Sequence, residues 1–93
     1  MAIAVYLNPP SMSAAQYDEV MSRLDAAGAG TPAGRLYHVC FGSGDKLQLF
    51  EIWESQEDFG KSIKATVPIL QQIGLDLGRP VVEPAYQVIP GST

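Results

Sequence analysis

The sequence predicts a single α+β domain, residues 1–93, in which two helices cover one face of a four-stranded antiparallel sheet. Two segments repeat apolar residues at spacings of three and four, the period of an amphipathic helix. Four shorter segments are rich in β-branched, aromatic and aliphatic residues, and two of these flank a tight turn. The resulting order is strand, helix, strand, strand, helix, strand.

The first strand and the helix that follows it have well-marked boundaries. Residues 2–7 alternate in side-chain direction, and two prolines end the strand because proline cannot donate to a sheet hydrogen bond. Ser13 is placed to cap the helix, with Gln16 as its reciprocal partner three residues later. Gly28 is placed to end it in a left-handed turn. The apolar stripe of this helix consists of Tyr17, Val20, Met21, Leu24 and Ala27.

Residues 35–54 predict a β-hairpin, the element that carries most of the chemistry. Gly44 can supply the positive φ that a tight turn requires. The turn sets the register, and alternation then places every second side chain on the same side of the sheet. The register predicts three facing pairs on one side: Leu36 with Trp53, His38 with Glu51, and Cys40 with Leu49.

The second helix begins after Ser55 and ends at Gly74. Its apolar stripe contains Pro68, which removes one backbone hydrogen bond and crowds the preceding turn. The sequence therefore predicts a kink or a split near residues 66–67.

The last strand, residues 81–89, contains Pro84 and is expected to be an edge or a bulged strand. The six elements together predict a ferredoxin-like β-α-β-β-α-β fold, with both helices on one side of the sheet. The helices are expected to cover a face made of Ile3, Val5, Leu7, Tyr37, Val39, Phe41, Phe50 and Ile52.

The opposite face of this sheet is expected to be bare and apolar. It carries Tyr6, Leu36, Cys40, Leu47, Leu49 and Trp53. A monomer rarely exposes so large an apolar patch. We therefore predict a homodimer that packs sheet against sheet through this face and closes a barrel with a cavity in each half.

Composition excludes several classes of function. The net charge is −4 and the six basic residues are scattered, which argues against nucleic acid as a partner. No apolar run approaches the twenty residues or so of a membrane helix. A single cysteine cannot form an intramolecular disulfide, so a cytoplasmic protein is expected.

The junction between the third strand and the second helix, residues 52–59 (IWESQEDF), carries a resemblance to a known family. The chain resembles the dimeric α+β barrel superfamily that includes the antibiotic-biosynthesis monooxygenase-like proteins. The resemblance implies a dimer with a ligand cavity between sheet and helices. It also implies, where such proteins are enzymes, oxidation of aromatic polyketides or quinols by dioxygen without a cofactor. Other members have no known chemistry.

One branch of this superfamily binds and degrades haem, and the chain resembles it at Asn8 and Trp53. That branch ligates iron through a histidine on the second helix, and residues 55–74 contain none. His38, the only histidine, cannot build a typical metal site alone. We therefore expect neither haem nor another cofactor, and no metal.

The candidate catalytic pair is His38 with Glu51, because imidazole is a suitable base near neutral pH and the carboxylate can orient it. The candidate substrate-binding residues are Tyr6, Asn8, Trp53 and Tyr86. The alternative for the pair is a cross-strand polar contact at an interface or rim. The alternatives for the others are a strand-terminal turn former at Asn8 and core aromatics elsewhere.

Two functions remain open. The first is a cofactor-independent monooxygenase acting on a phenolic or quinonoid small molecule in an apolar cavity. The second is a non-catalytic dimeric protein that binds a small apolar or aromatic ligand or takes part in a stress response. The polar groups are few, which favours the second, while the resemblance favours the first.

Overall fold

The computed structural model describes residues 1–91 and contains a four-stranded antiparallel sheet with two helices. The elements are β1 (Ile3–Leu7), α1 (Ala14–Ala26), β2 (Arg35–Phe41), β3 (Gln48–Trp53), α2 (Gln56–Ile73) and β4 (Val81–Pro84). The strand order is β2-β3-β1-β4, so β1 and β3 are central. The predicted ferredoxin-like fold is confirmed. Neither α1 nor α2 has the length and apolar character that crossing a membrane requires.

The register of the hairpin is the one predicted, except at its open end. His38 pairs with Glu51 and Cys40 with Leu49. Trp53 pairs with Arg35 instead of Leu36, because the pairing shifts between Arg35 and Tyr37. The prediction for Leu36 was therefore wrong, since a β-bulge inserts a residue that the turn alone does not reveal.

The pairing of β1 with β3 decides which face of the sheet the helices cover. Val5 pairs with Glu51 and Leu7 with Leu49, which puts these four side chains on one face. Val5 is fully buried there, and Leu49 is 5% exposed. We call this the inner face; it also carries Ile3, His38, Cys40, Trp53 and Val82.

The hairpin residues that were expected to lie under the helices lie instead on the other face of the sheet, and all of them except Ile52 are exposed. The exposed apolar members of this face, which we call the outer patch, are Tyr37, Val39, Phe41 and Phe50. The exposed face is therefore not the predicted one, made of residues 36, 47, 49 and 53, because Leu49 and Trp53 lie in the core. The error arose because both faces of the hairpin are apolar, and only pairing with β1 shows which one joins the core.

The helix ends follow the local signals in the sequence. Ser13 and Gln16 form the predicted capping box. At the other end of α1 the amide of Gly28, with φ of 75°, donates to Asp25, and the amide of Ala29 donates to Leu24. This pair of bonds is a Schellman motif, and it satisfies carbonyls that the helix leaves free.

Of the predicted kink or split near residues 66–67, the split does not occur, because helix α2 is continuous from Gln56 to Ile73. Ser55 caps its start by accepting the amide hydrogen bond of Asp58, and Gly74 ends it with φ of 77°. Phe59 and Ile69, on either side of the proline, are both buried. Packing of both halves holds the helix together against the loss of one hydrogen bond.

Strand β4 is shorter than predicted, since it ends at Pro84 rather than continuing to residue 89. The amide of Ala85 donates to the carbonyl of Ala2, and beyond it Tyr86 is fully exposed. Proline has no amide hydrogen to extend the ladder, which accounts for the early end.

The hairpin tip is tied to the segment before α1. Gly44 has φ of 62°, as the turn requires. The amide of Met12 donates to the carbonyl of Asp45, and the amide of Leu47 donates to the carbonyl of Met12. These two bonds fix where α1 starts relative to the hairpin, and hence bring its first turns over β2.

Candidate functional site

Glu51 lies at the centre of a hydrogen-bonded cluster on the inner face. Among residues 1–91, Glu51 is the only charged residue that is buried, with 7% of its surface exposed. Its Oε2 atom accepts from His38 Nδ1 at 2.5 Å, and its Oε1 atom accepts from Trp53 Nε1 at 3.0 Å. The guanidinium of Arg35 lies 3.8 Å from Oε2. These partners compensate for the burial of the carboxylate.

Tyr17 completes the cluster from the helix side. Its hydroxyl oxygen lies 2.7 Å from His38 Nε2, and the two rings stack with centroids 5.9 Å apart and 16° between their planes. Because the Glu51 carboxylate only accepts, the proton of a neutral His38 lies on Nδ1. Nε2 then accepts from the Tyr17 hydroxyl. We call the series of hydrogen bonds that runs from Trp53 through Glu51 and His38 to Tyr17 the polar relay.

The electrostatics keep the end of the polar relay protonated. Burial raises the pKa of Tyr17 above its ordinary value of 10.0, and the negative charges of Cys40 and Glu51 add to the rise, while Arg35 opposes it. The hydroxyl of Tyr17 is therefore a hydrogen-bond donor at neutral pH.

Local structure explains how these residues meet. Alternation along β3 puts Glu51 and Trp53 on the same face, and antiparallel pairing sets His38 opposite Glu51. Tyr17 belongs to the apolar stripe of α1 that faces the sheet. Throughout residues 1–91, every buried side-chain nitrogen and oxygen has a hydrogen-bond partner.

The polar relay borders a small cavity between the helices and the sheet, about 50 Å³ in volume. Tyr17, His38, Arg35 and Glu51 contribute its main polar groups. The rest of the wall is mostly apolar and includes Leu7, Met12, Val20, Met21, Leu24, Leu49, Phe59, Ile63 and Leu77. We call this space the inner cavity.

A second, larger space lies outside it. This open groove runs between α2 and residues 75–80 and has a volume of about 660 Å³. The residues that line both spaces are Leu7, Phe59, Ile63 and Leu77. These four side chains therefore form a partition between the groove and the inner cavity.

The structure brings three of the candidate site residues together and places the other three elsewhere. His38, Glu51 and Trp53 belong to the polar relay. Tyr6 lies on the opposite face of the sheet, where its hydroxyl donates to Gln48. The expectation that Tyr6 shares a face with Trp53 was wrong, because β1 pairs Tyr6 with Phe50.

The two remaining candidates are exposed. Asn8 follows the end of β1 and faces solvent. Tyr86 follows β4 and is fully exposed. Neither contributes to the wall of the inner cavity or of the groove.

Sequence reasoning missed Tyr17 and Arg35 as site residues. Tyr17 was recognised only as part of an apolar helix stripe, and no spacing in the sequence links it to His38, 21 residues away. The usable signal was a hydroxyl-bearing aromatic on a stripe that must face the sheet. Arg35 begins β2, and its guanidinium also donates to the carbonyl of Gly30.

The side chains do not suggest a metal centre. Within residues 1–91, no three histidine, cysteine, aspartate or glutamate side chains lie close enough to hold an ion together. His38 is already engaged at both ring nitrogens.

Comparison with known proteins identifies the fold. No protein-family model matches the chain, and no curated protein matches its sequence. Among solved structures, a candidate antibiotic biosynthesis monooxygenase from Chloroflexus aurantiacus is similar at 15% identity and a TM-score of 0.66, over 97% of this chain and 98% of that one. This chain has an antibiotic biosynthesis monooxygenase-like fold. The resemblance inferred from residues 52–59 is thereby confirmed at the level of the fold.

Two further structures with this fold are oxygenases. A variant of SnoaB, a cofactor-independent oxygenase from Streptomyces nogalater, is 17% identical with a TM-score of 0.63, over 97% of both chains. A monooxygenase from the ActVA-Orf6 gene of Streptomyces coelicolor, bound to the ligand Nanaomycin D, is 20% identical with a TM-score of 0.55, over 98% of this chain and 92% of that one. Such identities establish a common fold and leave the chemistry to the site.

Proposed function

We propose that this chain is a cofactor-independent monooxygenase that oxidises an electron-rich phenolic or quinol-type compound with dioxygen. The observation that carries the proposal is the polar relay: an imidazole, oriented by a buried carboxylate, at the wall of an apolar cavity. A base held in a water-poor site is what such oxidation needs from a protein, because the substrate anion itself reduces dioxygen.

The chemistry can be followed for an anthrone, whose ring system carries a reactive CH₂ group. The substrate gives up a proton to the Tyr17 oxygen as the Tyr17 proton moves to His38 Nε2, and Glu51 stabilises the imidazolium that forms. The substrate anion then transfers one electron to dioxygen. The radical and superoxide combine at carbon, and the peroxide takes a proton back from the relay. Loss of water leaves a carbonyl, so one oxygen atom enters the product and the other leaves as water.

The surrounding residues favour this sequence of steps. Trp53 holds the second oxygen of Glu51, so the carboxylate cannot rotate away from His38. The apolar wall excludes water, which would otherwise solvate the substrate anion and quench the peroxide. The printed descriptions of SnoaB as a cofactor-independent oxygenase and of the ActVA-Orf6 protein as a monooxygenase favour the same reaction class.

We also propose that the protein acts as a cytosolic homodimer. The outer patch consists of four large apolar side chains, each between 37% and 47% exposed. A two-fold packing of this patch against its copy removes it from water. Cys40 is a free thiol, as a reducing compartment favours.

The test is oxygen consumption with anthrone as substrate, for the parent protein and for His38→Ala. Loss of the base should lower turnover by roughly 10²–10⁴-fold. Ser22→Ala, an exposed change on the same helix as Tyr17, is the matched control and should match the parent. Equal turnover by His38→Ala would remove the imidazole from the mechanism. A parent protein that binds such compounds without oxidising them would support the non-catalytic alternative.

A further inference from the structure

We propose that the groove between α2 and residues 75–80 binds the body of a neutral, flat, multi-ring compound. The partition made by Leu7, Phe59, Ile63 and Leu77 then lets one end of that compound reach the polar relay. The second part of this statement rests on the proposed function. The first part stands on the groove alone.

Size separates the roles of the two spaces. Sites for small organic ligands usually have volumes of about 300–1,000 Å³. The inner cavity, at about 50 Å³, holds little more than solvent-sized molecules. The groove, at about 660 Å³, is large enough for a three-ring compound. A substrate of the proposed class therefore has its bulk in the groove and only its reacting edge inside.

The lining of the groove defines the chemical class of the ligand. Apart from Gln56, Gln71 and Asp76, its side chains are apolar or absent. Among residues 1–91, none that lines the groove is basic, and Asp76 is acidic. An anionic ligand would lose its hydration without gaining a counter-charge, whereas a neutral ring system gains apolar contact.

The partition connects the groove to the polar relay. Leu7 and Phe59 are buried, and the ring of Phe59 lies 5.7 Å from the ring of Trp53 at an angle of 60°. Ile63 and Leu77 are only partly buried. Side-chain rotation of these two residues requires less loss of packing than movement of Phe59, so they form the opening through the partition.

The position of Trp53 allows ligand binding in the groove to be measured by fluorescence. Trp53 is the only tryptophan in the chain, and it lies next to Phe59, which lines the groove. An anthraquinone bound in the groove lies within range for energy transfer and quenches Trp53 fluorescence. A quinone is already oxidised, so its binding is measured without turnover.

The probes are 2-(hydroxymethyl)anthraquinone, which is neutral, and anthraquinone-2-sulfonate, which has the same rings and a negative charge. We expect saturable quenching by the neutral probe with a dissociation constant at least tenfold lower than that of the sulfonate. Such a difference follows from the absence of a basic side chain among the lining residues.

Two substitutions fill the groove from α2. Gly60 lines it, and a Cβ atom there would meet nothing within 4 Å, so Gly60→Leu adds bulk in open space. Val67→Phe adds bulk at a residue that is already 39% exposed. Lys64→Leu places the same leucine side chain on an exposed part of α2 outside the groove and is the matched control.

Binding of the neutral probe should weaken at least tenfold in Gly60→Leu and in Val67→Phe and should be unchanged in Lys64→Leu. Thermal melts verify folding, and Gly60→Leu should melt no lower than the parent because leucine favours a helix over glycine. No binding to the parent, or equal binding to the filled variants, would overturn the proposal. Binding to the groove with no oxidation of anthrone would leave this site standing and refute the proposed oxygenase.

Discussion

Glu51 is the residue on which the site depends, because both of its oxygens accept hydrogen bonds, one from the ring of His38 and one from the ring of Trp53. A glutamine in its place keeps the shape but donates through its nitrogen. If its oxygen still accepts from Trp53, its nitrogen donates to His38 Nδ1. The imidazole must then carry its proton on Nε2 and donate to Tyr17, which removes the base from the cavity side.

We therefore predict that Glu51→Gln reverses the tautomer of His38. Turnover of anthrone should fall by roughly 10²-fold or more, while the free energy of unfolding falls by only about 1 kcal/mol, since the buried groups stay paired. Nitrogen-15 NMR reads the tautomer directly, because the chain has a single histidine. Glu54→Gln, at an exposed position, is the control. A spectrum that still shows protonated Nδ1 in Glu51→Gln would refute the assignment.

Tyr17 links the site to the pH dependence of stability. Its pKa is raised, first by burial and then by nearby negative charge, so the folded protein holds this proton more tightly than the unfolded chain does. By linkage, the free energy of unfolding falls as pH rises above the ordinary value of 10.0. Below that value Tyr17 is protonated in both states and contributes no slope.

We predict that Tyr17→Phe reduces this alkaline loss of stability. Urea unfolding measured from about pH 8 to about pH 11 should show a shallower fall than in the parent. Tyr86→Phe, which removes a fully exposed hydroxyl, is the comparison. Cys40 is retained in all three proteins, because burial and Asp18 raise its pKa as well. Parallel curves for Tyr17→Phe and the parent would contradict the prediction.

At the scale of elements, α2 contains two glycines whose backbones have different requirements. Gly60 lies inside the helix with a negative φ, whereas Gly74 ends it with φ of 77°. A Cβ atom would meet nothing within 4 Å at either position. Substitution by alanine at each site therefore compares backbone conformation without a steric difference.

We predict opposite effects on stability from these two substitutions. Gly60→Ala should raise the free energy of unfolding by about 0.5–1 kcal/mol, because glycine is a poor helix former. Gly74→Ala should lower it by about 1–2 kcal/mol, because an L side chain disfavours the left-handed region. Urea denaturation of both variants measures the difference. Effects of the same sign would mean that the end of α2 does not hold the left-handed turn in solution.

For the whole molecule, the outer patch is the surface through which we propose that the protein dimerises. The two helices cover one face of the sheet, and the four residues of the outer patch on the other face remain accessible in the monomer. Val39 lies within this patch at 47% exposure. A charge at this position would oppose its own copy across a two-fold interface.

We predict that the parent protein is a dimer at micromolar concentration and that Val39→Glu is a folded monomer. Light scattering after size exclusion measures the mass. Val67→Glu, at a residue 39% exposed on α2, carries the same charge away from the patch and should remain dimeric. A monomeric parent would contradict the homodimer, and a dimeric Val39→Glu would place the interface elsewhere.

Much of this fold could be predicted from the sequence, because it depends on contacts between residues close together in the chain. The capping box at Ser13, the cap at Ser55 and the left-handed turns at Gly28 and Gly74 need only local hydrogen bonds. The facing of His38 and Glu51 follows from one turn at Gly44 and the alternation of a strand.

Other features were settled only in the tertiary structure. Both faces of the hairpin are apolar, so the hairpin sequence is compatible with burial of either face. The pairing of Val5 with Glu51 places the face that carries Glu51 on the inner side of the sheet. The contact between Tyr17 and His38 depends on where α1 crosses the sheet, which the Met12 hydrogen bonds to the hairpin tip fix. The sequence alone determined the order of the elements and the pairing of His38 with Glu51. Long-range packing decided which face of the sheet they share and which side chains complete the site, because neither depends on neighbours along the chain.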